Sequence, residues 1–173
     1  MTEVKAVPDA DRNFVLQQGF ETPAGMTCSR VSGALRFQPR VVGLTAIAGT
    51  LWQSSAIFGA LALVLWWCCL LPRLNPFELV YNRTFGRRAG ATKLEPAPAP
   101  RRFAQGMAAT FATAICAAMV ADLRVVAWVL QGLLLLAVAA LVFGRFCLGS
   151  FVYHALRGRL DFAVRTLPWG RGG

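Results

Sequence analysis

The residues that could do chemistry in this 173-residue chain are five cysteines, one histidine and a few glutamines inside apolar runs. A thiol-redox site needs two cysteines within reach and a depressed thiolate pKa. Cys147 has Arg145 close by, and Cys68 and Cys69 close an apolar run. Cys147 with Cys68 or Cys69 is therefore the candidate redox set, with small apolar packing residues as the plainer reading. Cys28 and Cys116 complete the count. None of the five forms a C-x-x-C pair, and their odd number and scatter argue against a disulfide framework or a zinc site.

His154, the sole histidine, is a candidate axial ligand for a haem iron or a chlorophyll magnesium. Its place beside Tyr153, beyond the last apolar run, better suits a polar residue at a membrane edge. Transport needs polar or ionisable groups at mid-membrane. Gln131 is a weak candidate, with Thr110 and Thr113 weaker still, and the expected spans hold no Asp, Glu, Lys or His, with Pro39 near the start of the first as their one proline. No carboxylate pair, nucleophile–base set, phosphate loop or metal cluster stands out, so an enzyme is not expected.

The elements that carry these residues are apolar. The chain is 56% hydrophobic, with mean hydropathy +0.51, yet its formal net charge is +10. Apolar runs of span length with basic flanks point to a membrane protein and away from a nucleic-acid binder. No signal peptide is expected, because the first 33 residues are polar and hold Glu3, Asp9, Asp11 and Glu21. Within them Phe14, Val15, Leu16 and Phe20 read either as a short docking helix or as part of an irregular tail.

Residues 103–121 form the central expected span, about 28 Å long as a helix. One row of residues four apart is bulky, from Phe103 to Met119; the rest are nearly all small. Gly106, Thr110, Ala114 and Ala118 make one such small row, suited to close helix packing, with Ser55 and Gly59 as a second small face. The 31 uncharged residues 41–71 are too long for one upright span, so a hairpin turning at residues 49–55 is favoured over one long tilted helix. The expected spans are then 34–50, 54–71, 103–121 and 125–144. Trp52, Trp66, Trp67 and Trp128 lie where interfacial anchors belong. The loop 72–102 carries an amphipathic segment, NPFELVYN, and a proline-rich spacer, EPAPAP. A basic tail, residues 160–173, ends the chain.

In this arrangement seventeen of the eighteen Lys and Arg residues fall on one side, and Arg124 alone on the other. The positive-inside rule then places both termini in the cytoplasm. A weak internal echo links the hairpins. Arg36-Phe37-Gln38 opens one, Arg102-Phe103-Ala104-Gln105 opens the other, and each leaves into an aromatic, Arg-rich segment. Chance similarity in so biased a sequence is the preferred reading.

Three motifs carry a family resemblance: PRRFAQG at residues 100–106, NPF at 75–77 and GRFCLGS at 144–150. Residues 36–153 resemble a family of small bacterial four-helix membrane proteins catalogued as a domain of unknown function. The resemblance implies four spans and no particular activity. The family's last motif often reads Cys-x-Gly-Cys, whereas here Cys147 is followed by Ser150.

The expected fold is thus an all-α integral membrane protein of four transmembrane helices in two hairpins. The polar segment 1–33 precedes a membrane domain, 34–159. The expected role is a non-enzymatic accessory or structural subunit of a larger inner-membrane complex, respiratory or photosynthetic in type. Its partners would be other membrane subunits and anionic lipids, not nucleic acid. The alternatives are the thiol-redox protein and the pigment- or haem-binding subunit. No cofactor is required, lipid contact is expected, and chlorophyll or haem contact belongs to the His154 alternative.

Overall fold

A computed structural model describes residues 9–20, 28–84 and 96–170, with the side chains of Asp9 and 28–30 excepted. Cys28 as a side chain, the TPAG turn and most of the arginine-rich part of the long loop lie outside the described residues. The described chain is all helix: α1 (Asp9–Gln17), α2 (Cys28–Leu35), α3 (Phe37–Leu51), α4 (Ser55–Leu70), α5 (Pro76–Thr84), α6 (Ala99–Val120), α7 (Arg124–Val142), α8 (Leu148–Leu156) and α9 (Leu160–Arg165), with a single 3-10 turn at Pro72–Leu74.

α3 with α4 and α6 with α7 form two helical hairpins. α6 is the hub and packs on α4, α7 and α8, while α3 closes the bundle against α7. The shared core is Val42, Ala46, Phe58, Leu61, Ala62, Leu65, Ala109, Ala112, Ile115 and Leu134. α6 begins four residues before the expected span, so Arg101 and Arg102 belong to it rather than to the loop. Pro98 precedes the first residue and Pro100 is the second. Proline is tolerated there because the first turn's N–H groups have no helical partner.

Each hairpin turns in the same way. Ser54 N–H donates to the Gly49 carbonyl and Gln53 N–H to that of Thr50, with Gln53 at φ 46°. Leu123 and Asp122 repeat the pattern on Ala118 and Met119, with Asp122 at φ 55°. Both are left-handed helix endings that satisfy the last carbonyls. Ser54 then caps α4, its hydroxyl accepting from Ile57 N–H at 3.4 Å. Gln53 Nε2 donates to Gln131 Oε1 at 3.2 Å, so the buried Gln131 ties one turn to α7.

α6 and α7 are long and apolar enough to cross a membrane. α3 and α4, at 15 and 16 residues, are shorter. Large apolar side chains face outward on all four, among them Leu44, Leu51, Leu63, Leu70, Val120, Val129 and Leu136.

Candidate functional site

A buried polar cluster lies where α6 begins and α7 ends. Asn75 initiates one flank. Its Oδ1 accepts Phe77 N–H at 3.0 Å and its Nδ2 donates to Glu78 Oε1 at 3.2 Å. With Pro76 as the first residue of α5, the NPF motif is a helix start. The Cys68 thiol donates to the same Asn75 oxygen at 3.4 Å. Burial pushes the Glu78 carboxyl up to about 7, against the opposing pull of Arg101 and the Asn75 hydrogen bond.

Arg101 is the centre of the cluster. It is only 5% exposed. Its Nη1 donates to Gln18 Oε1 at 2.9 Å and its Nη2 to Gln38 Oε1 at 3.2 Å, and the Phe20 ring lies 5.7 Å from the guanidinium. Gln105 Nε2 donates to the same Gln38 oxygen at 2.9 Å. Because Gln38 Oε1 takes both donors, Gln105 must present its amide nitrogen there. Its Oε1 is left buried without a partner. Arg102, next along, donates from Nε to the Cys69 carbonyl at 3.0 Å and closes the C-terminus of α4.

The N-terminal segment docks on this cluster through α1. Phe14 and Val15 are fully buried, and Gly19 at φ 82° ends the helix in a left-handed turn against Pro98 and Pro100. Gln17 Oε1 accepts the Cys147 N–H at 3.0 Å, and the Gln17 carbonyl accepts from His154 Nε2 at 3.1 Å. Asp11 faces Arg145 at 3.2 Å, a close charge contact whose angle does not make a hydrogen bond. Asn13 Nδ2 donates to the carbonyls of Leu167 and Gly170. Of the residues in the docking-helix reading, Phe14, Val15 and Leu16 lie on α1 and Phe20 follows it.

His154 is a docking residue in this geometry. Its Nε2 must carry the proton to meet a carbonyl, and its Nδ1 is buried without a partner. Phe162 lies 4.7 Å and Tyr153 5.4 Å from the ring, both edge-on. Burial is the main cause that lowers its pKa, with the Gln17 carbonyl pulling the other way and Arg159 adding to the depression. The imidazole is held neutral.

The thiols are separated by use. Cys147 is buried, 3.2 Å from the Ser150 hydroxyl, which also lies 3.4 Å from the Pro100 carbonyl oxygen. Cys68 is fully buried on Asn75, and Cys69 faces Gly106. All four described cysteines are free.

The small row of α6 is divided. Ala118 is buried, Gly106 and Ala114 are half-buried, and Thr110 is exposed with its hydroxyl on the Gly106 carbonyl. The buried stripe is instead Arg101, Gln105, Ala109, Ala112, Ile115 and Ala118. A β-carbon on Gly59 would meet Cys116 Sγ at 3.4 Å, and Ser55 is half-buried beside it on α4. Trp52, Trp67 and Trp128 are exposed, as is Trp66, whose indole donates to Thr113 Oγ1 at 3.2 Å.

The two echoing entry motifs meet. Gln38 and Gln105 are the hydrogen-bonded pair at the centre of the cluster. Phe37 packs on Tyr81 at 5.7 Å between ring centroids, and Phe103 packs on Tyr153 at 5.8 Å. Each hairpin thus returns a short helix whose tyrosine rests on the phenylalanine that opened it. Arg101 is the departure from the repeat, since its counterpart before Arg36 is Leu35.

Comparison with curated proteins and with solved structures finds no match. Residues 32–157 match the family described as a domain of unknown function, DUF4395. They take in α3 to α8, both entry motifs and the whole Arg101 cluster except its N-terminal contacts. The chain is a member of the DUF4395 family.

Proposed function

We propose that the chain is a four-span membrane protein with both termini in the cytoplasm. It serves as a non-enzymatic accessory subunit of a larger assembly in a bacterial inner membrane. The observation that carries this reading is on the outer face of α6. Thr110, Thr113, Ala117 and, at the C-cap, Ala121 are exposed there, Thr113 with its hydroxyl accepting from the Trp66 indole, while neighbouring outward faces present Leu, Val and Trp. Lipid needs no such strip, whereas a partner helix gains close backbone approach from it.

Further support comes from charge and length. The α6–α7 turn holds Arg124, paired at the surface with Asp122, and a four-span arrangement would put the other seventeen Lys and Arg on the opposite side. α3 and α4 are about 22–24 Å long, which a modest thinning of the bilayer accommodates. Anionic lipid would meet the basic end.

Isolation of the tagged protein in mild detergent, followed by native mass spectrometry, tests the role. Other subunits should co-purify in fixed ratio, and Thr113→Leu with Ala117→Leu should release them. A protein that isolates alone from its own membrane, with reporters at the two termini on opposite faces, would overturn both role and topology.

A second reading, a thiol-redox protein on Cys147 with Cys68 or Cys69, has only the free thiols behind it, with Cys68 buried on Asn75 and Cys147 buried beside Ser150. A mixed disulfide trapped on Cys147, absent in Cys147→Ser, would establish it. Pigment or haem binding through His154 gains no such support, because Nε2 already serves the Gln17 carbonyl.

A further inference from the structure

Arg101 poses an unsolved charge problem. It is buried, yet its hydrogen-bond partners are two neutral amide oxygens. Among the described residues the ion pairs are Arg124 with Asp122 and Arg145 with Asp11, and neither involves Arg101. Glu78 acts on it through space, but a carboxyl pushed up to about 7 is only partly ionised at neutral pH. A buried cation with so little counter-charge is costly, and among the described residues Nη1 and Nη2 make one hydrogen bond each.

Beside Arg101 is a cavity of about 80 Å³. Gln18, Gln38, Gln105 and Cys147 also line it, with Leu65, Val138 and Leu141 among the apolar walls. Gln105, 6% exposed, borders it and carries the unpartnered Oε1. The cavity shares Ala104, Ala108, Val138, Leu141 and Cys147 with a second, larger space of about 360 Å³. That space is an almost wholly apolar groove between α6, α7 and the start of α8. It runs from Gly149 to Phe111 and Leu133, about 10 Å along the helices, and is open on its outer side.

We propose that cavity and groove form one binding site for a single-chain amphiphile with a carboxylate head, a long-chain fatty acid. The carboxylate supplies the missing counter-charge to Arg101, and a water held at the head donates to Gln105 Oε1. The first part of the chain lies in the groove and the rest continues into lipid. The groove's size falls within the range of small-molecule sites, with the few polar groups at one end that such sites use for orientation. Charge complementarity selects an acid over a neutral alcohol. The narrow polar cavity, about the share of liquid of two or three waters, selects a carboxylate over a glycerophosphate with its two acyl chains. The site requires α6 and α7 to lie in a bilayer, and is independent of the subunit role.

The test uses the full chain in nanodiscs of zwitterionic phospholipid and a 16-carbon fatty acid bearing a photoactivatable group on its chain. Crosslinks should concentrate on the groove walls, within residues 104–111, 133–141 and 147–149. The unlabelled acid should compete at concentrations at least tenfold lower than the 16-carbon alcohol or phosphatidylglycerol. Ala137→Phe, which fills the groove from a half-buried position, should cut labelling about tenfold with helicity unchanged. Arg101→Gln should erase the preference for acid over alcohol. If that variant fails to fold, Ala137→Phe and the competitor series decide. Labelling spread evenly over the outward faces of α3, α4 and α7, or competition by alcohol or phosphatidylglycerol equal to that by the acid, would overturn the proposal. Recovery of the protein from cells without detergent would instead strike the membrane reading beneath it.

Discussion

Gly149 meets Ala104 backbone to backbone: a β-carbon on Gly149 would lie 2.6 Å from the Ala104 Cα. Neither atom belongs to a flexible side chain, so α8 would have to lift off α6. Gly149→Ala should destabilise the protein by about 1–3 kcal/mol, the usual cost of overpacking. Thermal unfolding followed by circular dichroism in detergent reads this directly. Gly132→Ala, with open space around its position, should leave the midpoint in place or raise it.

The Gln38 and Gln105 amides carry unequal weight. Gln38 Oε1 accepts from both Arg101 and Gln105, so Gln38→Leu strands two buried donors, one of them charged. A loss of about 2–4 kcal/mol is expected. Gln105→Leu removes one donor together with an oxygen that has no partner, and leaves the Arg101–Gln38 bond intact. Its cost should stay below about 1 kcal/mol. Equal losses in the two variants would contradict the hydrogen-bond assignment.

Docking of α1 turns on Gln17. Gln17→Leu leaves the Cys147 N–H buried without an acceptor, at a cost of about 1–3 kcal/mol, while the His154 bond to the Gln17 carbonyl survives. The expected signature is faster proteolysis within α1 and faster alkylation of Cys147, which is 5% exposed in the docked state. Cys68 should react no faster, because its cover comes from Asn75 on the other flank. Faster reaction at both thiols would mean that the bundle itself had opened.

The two ends of the cluster should respond to pH with opposite sign. Glu78 has a folded pKa of about 7 against an ordinary 4.5, so folding favours its protonated form. That stabilisation of α5 is complete below the ordinary carboxylate value and is lost as pH rises through about 7. His154 has a folded pKa below the ordinary 6.5, so folding favours the neutral ring. Its contribution to α1 docking is present above 6.5 and is lost as pH falls through the depressed value. Amide exchange, corrected for its intrinsic pH dependence, should show α5 loosening toward higher pH and α1 loosening toward lower pH. Glu78→Gln should flatten the first trend alone. Exchange in α5 that slows as pH rises would contradict the assignment.

Helix positions were legible in the sequence because their causes are local. Uncharged runs, the Asn-Pro start of α5 and the polar turns at Gln53 and Asp122 act within a few residues, whereas the start of α6 at Ala99 read as proline-rich spacer and loop. That α6 and α7 are long and apolar enough to cross a membrane follows from length and composition in the same way. The sequence also carried the paired entry motifs, though not what they do. Gln38 and Gln105 are 67 residues apart, and only packing of α3, α4, α6 and α7 brings them to 2.9 Å. The same holds for Gln17 with Cys147, and for Arg101, which as a sequence feature was one base among seven in a loop. Its burial is a tertiary outcome. The first turn of α6 starts inside the bundle, where amide oxygens from α3 and the N-terminal segment are the groups within reach. Local propensity places a residue on a helix; which faces are covered, and which charges are left without a counterpart, is decided by the elements that pack against it.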